Sequence, residues 1–192
     1  MRSIPSTLVL ALVATALAAG ATPARAAAQA AQPAAPPHAH AAALDDPTIV
    51  AIFDAANTAD IETGQLAAER GRSAKVREFG AMLARDHAQV RQQGRDLATK
   101  LGVMPTPPAN DRSARDHAAA MRRLRALRGA AFDRAFLAHE VAFHQSVIDA
   151  VQSTLLPAIR NAELKALVVK VAPAFEAHRA AAANLHEQLA GR

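Results

Sequence analysis

The chain has 192 residues, 51% of them hydrophobic, and 52 are alanine. Alanine thus supplies about half of the apolar total, so the composition overstates the large apolar surface available for a core. There is no Cys, Trp or Tyr and there are only six Phe, which excludes a disulfide framework, a thiolate metal site, cysteine catalysis and an aromatic platform for stacking bases. Alanine loses no side-chain entropy in a helix, and this composition points to an all-α protein.

Arg2 precedes an apolar stretch from Leu8 to Ala19, which Gly20 and Pro23 interrupt before Ala24-Arg25-Ala26. This is the layout of a secretory signal peptide cut after Ala26. The stretch is shorter than the ~20 apolar residues of a spanning helix. The protein is therefore expected to be periplasmic or otherwise exported, and not transmembrane once cleaved. No cysteine follows the apolar stretch to carry a lipid. Removing residues 1–26 would leave 166 residues and, without Arg2 and Arg25, a net charge of +3 in place of +5. Residues 27–46 are rich in alanine and contain Pro33, Pro36 and Pro37, the composition of a disordered tether. His38 and His40 within it read as incidental.

From residue 47 to 192 the pattern is helical. Asp46 followed by Pro47 marks a helix start, and Ile49, Ile52, Phe53, Ala56, Thr63, Leu66 and Ala67 recur at three and four residues until Gly71. Ser73 is the expected cap of a second helix, whose stripe runs through Val76, Phe79, Leu83, Val90, Leu97 and Leu101 up to Gly102. The short link forces these two helices into an antiparallel hairpin. Asp111 and Ser113 open a shorter arginine-rich helix with Met121, Leu124 and Leu127. A long helix from Ala130 to Leu156 follows, with Phe132, Phe136, Phe143, Val147, Val151 and Leu155 on one side, and Pro157 is expected to stop it. The last helix, from about Asn161 to Leu189, carries Leu164, Val168, Val171, Phe175, Ala182, Leu185 and Leu189 and is expected to kink at Pro173. Together these elements predict an up-down-up-down four-helix bundle with one extra short helix.

Placing residues at 100° per step puts several polar side chains on the apolar stripes. His87 lies between Leu83 and Val90, His178 between Phe175 and Ala182, and Asp60 seven residues from both Phe53 and Ala67. His144 and Glu140 share one side of their helix, whereas Glu62 points to a boundary. At about 1.5 Å per residue from the connected ends, Asp60, His87 and His144 agree in height within roughly one turn, and His178 is expected more than a turn lower.

At these positions the chain resembles a known family. Asp60-Ile61, Gly64, Leu66 and Ala67, then Val76, Phe79, Met82 and Asp86-His87, then Gly129 with FDRAFL at 132–137, then His144, Pro173 and His178 are similar in order and spacing to the exported bacterial proteins grouped as domain of unknown function family 4142. The resemblance spans about Pro47 to Leu189. It implies a ferritin-like fold and export, and no established activity. Asp60 departs from the family, which usually has a glutamate there, and one methylene less shortens its reach toward a ligand.

A di-iron centre is disfavoured. Carboxylate-bridged sites take a Glu-x-x-His pair from each of two helices, and the residues three before His87, His144 and His178 are Ala84, Val141 and Phe175. The cluster Asp60, His87, His144 and His178, with Glu140 as an additional ligand, leaves room for a single divalent transition metal, since imidazoles with a carboxylate suit zinc, copper, nickel or iron. The competing reading is a hydrogen-bonded knot with no cofactor. A third is acid sensing, because buried neutral histidines resist protonation.

Between Arg70 and Arg134 there are 15 basic and six acidic residues. The expected export and the lack of aromatics among the arginines argue against nucleic acid; the stretch reads first as a solvated helix face, and as a contact for an unknown protein partner or an anionic envelope surface second. The serines lack a nucleophile elbow, and there is no glycine-rich phosphate loop. The reading is a non-enzymatic envelope protein with a structural, interaction or stress-related role, and its alternative is a mononuclear metal-binding protein.

Overall fold

A computed structural model describes residues 44–190. The expected signal peptide, and the expected tether up to residue 43, lie outside the described residues. The described residues are helical, with no strand among them.

Helix α1 spans Asp46–Arg70. Asp45, one residue earlier than expected, is its cap: the carboxylate accepts from the Thr48 N–H at 3.0 Å, and Pro47 sits in the first turn, where its missing N–H leaves no bond unmade. Helix α2 spans Ala74–Leu101. Ser73 precedes it but its hydroxyl makes no capping bond. Asp133 serves this turn from another helix, accepting from the N–H groups of Arg72 at 2.8 Å and Ser73 at 2.9 Å.

Helix α3 spans Ser113–Arg125, and the Asp111 carboxylate accepts from both the N–H and the hydroxyl of Ser113. Helix α4, Gly129–Ala150, continues through a π turn at Val151–Leu155 into a last short turn, α5, at Leu156–Ala158. Pro157 lies inside this last turn, and the helix ends one residue past it, at Ala158. Pro157 has no N–H for the carbonyl one turn back and its ring needs space there, and the backbone widens immediately before it. Helix α6 spans Ala162–Ala190 and runs through Pro173. Asn161 caps it by accepting from the N–H groups of Glu163 and Leu164.

Each long helix packs on two others: α1 and α6 both lie against α2 and α4. Asp46, at the start of α1, accepts from the N–H groups of Arg160 and Asn161 at the start of α6, both at 2.9 Å. The end of α1 meets the start of α4 through Asp133, and Lys75 at the start of α2 reaches Gln188 at the end of α6. The long helices thus run up, down, down, up. The alternation expected from the sequence fails because residues 103–128 are not a link at one end. The Thr106 N–H bonds to Pro47 O beside the start of α1, whereas Arg125 O accepts from Arg70 at its end, so the segment climbs the length of the molecule, with α3 as its last part. Arg122, Arg123 and Arg125 of α3, with Arg128 after it, are exposed.

The core is in two parts. One gathers Ile49, Val50, Phe53, Ile148, Leu155, Leu164, Val168 and Phe175; the other gathers Leu66, Val76, Phe79, Leu83, Leu124, Phe132, Phe136 and Leu137. A polar layer lies between them in sequence height on every long helix. At its edge α1 and α2 touch backbone to backbone, because a Cβ on Gly80 would sit 2.6 Å from Gly64 O and one on Gly64 would sit 2.6 Å from Gly80 O. That approach draws the residues one turn and two turns further along, Asp60 and His87, together.

Asp133→Ala should lower the free energy of unfolding in urea by about 1–3 kcal/mol, because it strands two partly buried amides. Asp133→Asn, which keeps one acceptor oxygen, should lose less. A loss below about 0.5 kcal/mol for the alanine variant would mean that water replaces the carboxylate without cost.

Candidate metal centre

All five residues singled out from the sequence are buried: Asp60, His87, Glu140, His144 and His178. On α4 the buried row runs through Leu137, Glu140, His144 and Ile148, and Phe143 and Val147 of the expected stripe are only partly buried. Two polar side chains occupy the centre of the helix face that apolar spacing alone assigns to its neighbours. His178 is not a turn below the others: its Nδ1 lies 3.2 Å from His87 Nε2. Counted from the helix ends at Ala158 and Ala162, His144 and His178 differ in height by only about 3 Å.

The three imidazoles form a nearly equilateral triangle. Ring centroids are 5.1 Å apart for His87 and His178, and 5.6 Å for His144 with each of them. One nitrogen from each of the three lies within 4.8 Å of the other two, and one atom from each of Asp60, Glu140 and His144 forms a second such group. Phe175 stacks on His87 with planes 8° apart and closes one side.

Each imidazole has its N–H held by a different acceptor. Asn57 donates its amide to Phe53 O at 2.8 Å, which turns Oδ1 to His87 Nδ1 at 2.9 Å. An amide oxygen only accepts, so the hydrogen is on His87 Nδ1. His144 Nδ1 donates to the Glu140 carbonyl at 3.0 Å, and His178 Nε2 donates to Asp86 Oδ2 at 3.1 Å. The remaining nitrogens, His87 Nε2, His144 Nε2 and His178 Nδ1, are then bare lone pairs. His144 Nε2 has no partner, and the contact between His87 and His178 has no hydrogen between its nitrogens. Burial, with the two neighbouring histidines, pushes the His87 pKa down to about 3, and burial also holds His178 low. A proton is therefore a poor occupant of the triangle.

The carboxylates have the same need. Asp60 Oδ1 and both carboxylate oxygens of Glu140 are buried without a hydrogen-bond partner. Burial and the adjacent Glu140 charge raise the Asp60 carboxyl well above the usual range. Burial also opposes the Glu140 charge, but the contact with His144 holds its carboxyl low, so Glu140 keeps the negative charge of the pair. A proton on Asp60 would serve the two carboxylates, though it would leave His144 Nε2 unsatisfied.

A family model described as a domain of unknown function, DUF4142, matches residues 16–185. The chain belongs to the DUF4142 family. No curated protein and no solved structure matches it.

Two groups of this DUF4142 site escape the sequence reading. Asn57 lies three residues before Asp60 on the same face of α1 and is buried, so helical spacing alone could have found it; its amide is taken up by Phe53 O and His87. Asp86 diverges from His87 by 100° along α2, which bars it from orienting that residue and instead directs it across to His178 on α6. Glu62, expected at a boundary, is exposed and pairs with His117 at 2.8 Å. No helix among the described residues is long and apolar enough to cross a membrane.

Proposed function

We propose that this protein is an exported, non-enzymatic, ferritin-like bundle that holds one divalent transition-metal ion among His87, His144 and His178, with Asp60 and Glu140 as flanking carboxylates. The observation that carries the reading is the convergence of three imidazole lone pairs with no hydrogen to share among them. Ligating histidines characteristically donate their other N–H to a carboxylate or a carbonyl, and all three do so here, His87 to the side-chain carbonyl of an amide. Two nitrogens at 2.0–2.1 Å from a tetrahedral ion stand about 3.3 Å apart; His87 Nε2 and His178 Nδ1 are 3.2 Å apart. Neutral imidazoles with a nearby carboxylate suit zinc, copper, nickel or iron. A hydrogen-bonded knot, or an envelope protein with a purely structural role, leaves His144 Nε2 without a partner even when a proton is shared between Asp60 and Glu140.

Export rests on the layout from Arg2 to Ala26, and the ferritin-like reading on the family resemblance and on the crossover through α3. Protein purified without a histidine tag, stripped with a chelator and titrated with Co(II) should take up about one equivalent and develop the visible absorption of a low-symmetry nitrogen site. His144→Ala and His87→Ala should each abolish that uptake. No uptake above background by the unsubstituted protein, or uptake unchanged in both variants, would overturn the reading.

A further inference from the structure

The polar layer is closed on most sides. Apolar clusters lie above and below it, Asp60 and Asn57 are buried toward α1, and Glu140 and His144 are buried toward α4. The side chains of Asp60, His87, Glu140 and His144 are at most 4% exposed. At the seam between α2 and α6 this changes: the His178 side chain is 8% exposed and that of its partner Asp86 is 44% exposed. Solvent therefore meets the cluster through one carboxylate and the outermost imidazole.

We propose that Asp86 is the loading residue of the metal centre. Resting on the metal-binding reading above, the proposal gives this carboxylate two tasks. It attracts a hydrated divalent cation to the α2–α6 seam, where the other nearby ligand groups are neutral imidazoles or deeply buried. It also holds the Nε2–H of His178 at 3.1 Å, so that Nδ1 faces the other two imidazoles as an acceptor. Without that anchor His178 can take its other tautomer or swing outward, and the triangle loses its outer corner. Asp86 belongs to the same two-residue step of α2 as His87, so one turn of helix supplies both an inner ligand and the group that aims the outer one. Asp86 touches no ligand atom of the ion in this arrangement; it is a positioning residue.

The test uses the full chain, stripped of metal, mixed rapidly with Co(II) or Zn(II), and read by cobalt absorption or by competition with a chromogenic chelator. Asp86→Ala should bind about 10–100-fold more weakly, the usual effect of losing a group that orients a ligand. Asp86→Asn still offers an oxygen to His178 but no charge, so its loss should fall more on the association rate, by about tenfold, than on affinity. Its rate should also depend less on ionic strength than that of the unsubstituted protein. Asp86→Glu should recover much of both. Because Asp86 is half-exposed, all three variants are expected to fold, and helical circular dichroism checks this. If the unsubstituted protein takes up one equivalent while Asp86→Asn loads at its rate and Asp86→Ala binds with its affinity, the assignment of Asp86 is overturned and the metal centre stands. Failure of the unsubstituted protein to bind either ion overturns both.

Discussion

Gly80→Ala should destabilise the protein by about 1–3 kcal/mol in urea or thermal unfolding, although alanine is favoured over glycine inside an exposed helix by about 1 kcal/mol. The sign is set by what the new methyl group meets. It would lie 2.6 Å from Gly64 O, 2.7 Å from Ala67 Cβ and 2.9 Å from the Ala68 N. Two of these are backbone atoms of α1, so relief requires the helices to part rather than a side chain to turn. Gly64→Ala should do the same, since its Cβ would meet Gly80 O at 2.6 Å and the Ala84 N at 3.0 Å. Gly94→Ala is a useful contrast, because it meets only the ring of Phe53 at 2.9 Å, and a ring can tilt. A stabilising Gly80→Ala would show that α1 and α2 do not touch at this point. Parting them would also draw Asn57 and Asp60 away from His87, so the same substitution should weaken Co(II) uptake.

Acid should destabilise the metal-free protein through His87. Its folded pKa is about 3 and its unfolded value about 6.5. Between those values the unfolded chain binds a proton that the folded chain refuses, so stability falls as pH falls below 6.5 and this contribution levels off near pH 3. By pH 5 the loss from this one group is about 2 kcal/mol. His178 and His139, also held low by burial, act in the same direction. Asp60 acts against them. Its raised carboxyl keeps a proton in the fold that the unfolded chain has released, so its contribution grows as pH falls toward the ordinary aspartate range. The clean measurement is therefore a difference. Unfolding free energies of the unsubstituted protein and of His87→Asn should converge by about 2 kcal/mol between pH 7 and pH 5, and Asp60→Asn should steepen the profile. Parallel profiles for the protein and His87→Asn would refute a neutral, proton-refusing His87.

The inward direction of Asp60, His87 and His178, and the shared side of Glu140 and His144, are legible from 100° arithmetic because a helix carries its own frame of reference. Heights along different helices are less legible, as His178 shows, because they depend on where each helix begins, and those ends are set by Asn161 and by the π turn before Pro157. Chain direction is hard to read from the sequence for a related reason. Residues 103–128 look like a connection with a helix in it, and only tertiary bonds, Thr106 to Pro47 and Arg70 to Arg125, show that the segment spans both ends. Ser73 has the residue type of a cap and lies at the right place, yet its hydroxyl makes no capping bond, and Asp133 holds the turn by the amides of Arg72 and Ser73 themselves, from 61 and 60 residues away. The identity of the bare nitrogens was beyond the sequence altogether. It depends on the amide orientation of Asn57 and on a carboxylate that crosses from α2 to α6.

Asp46 and Asp133 make a reciprocal pair of clasps. Each belongs to one helical hairpin and seizes the turn of the other, at opposite ends of the molecule. Sliding one hairpin past the other by a single helical turn would shift it by about 5.4 Å, whereas the ligand atoms of each group lie within 4.8 Å of one another. Such a slip would break both clasps and scatter the imidazoles in one movement. The centre is thus a vernier for hairpin docking: its ligands coincide only in the alignment that both aspartates enforce, and a bound ion would mark that the two halves had come to rest in it.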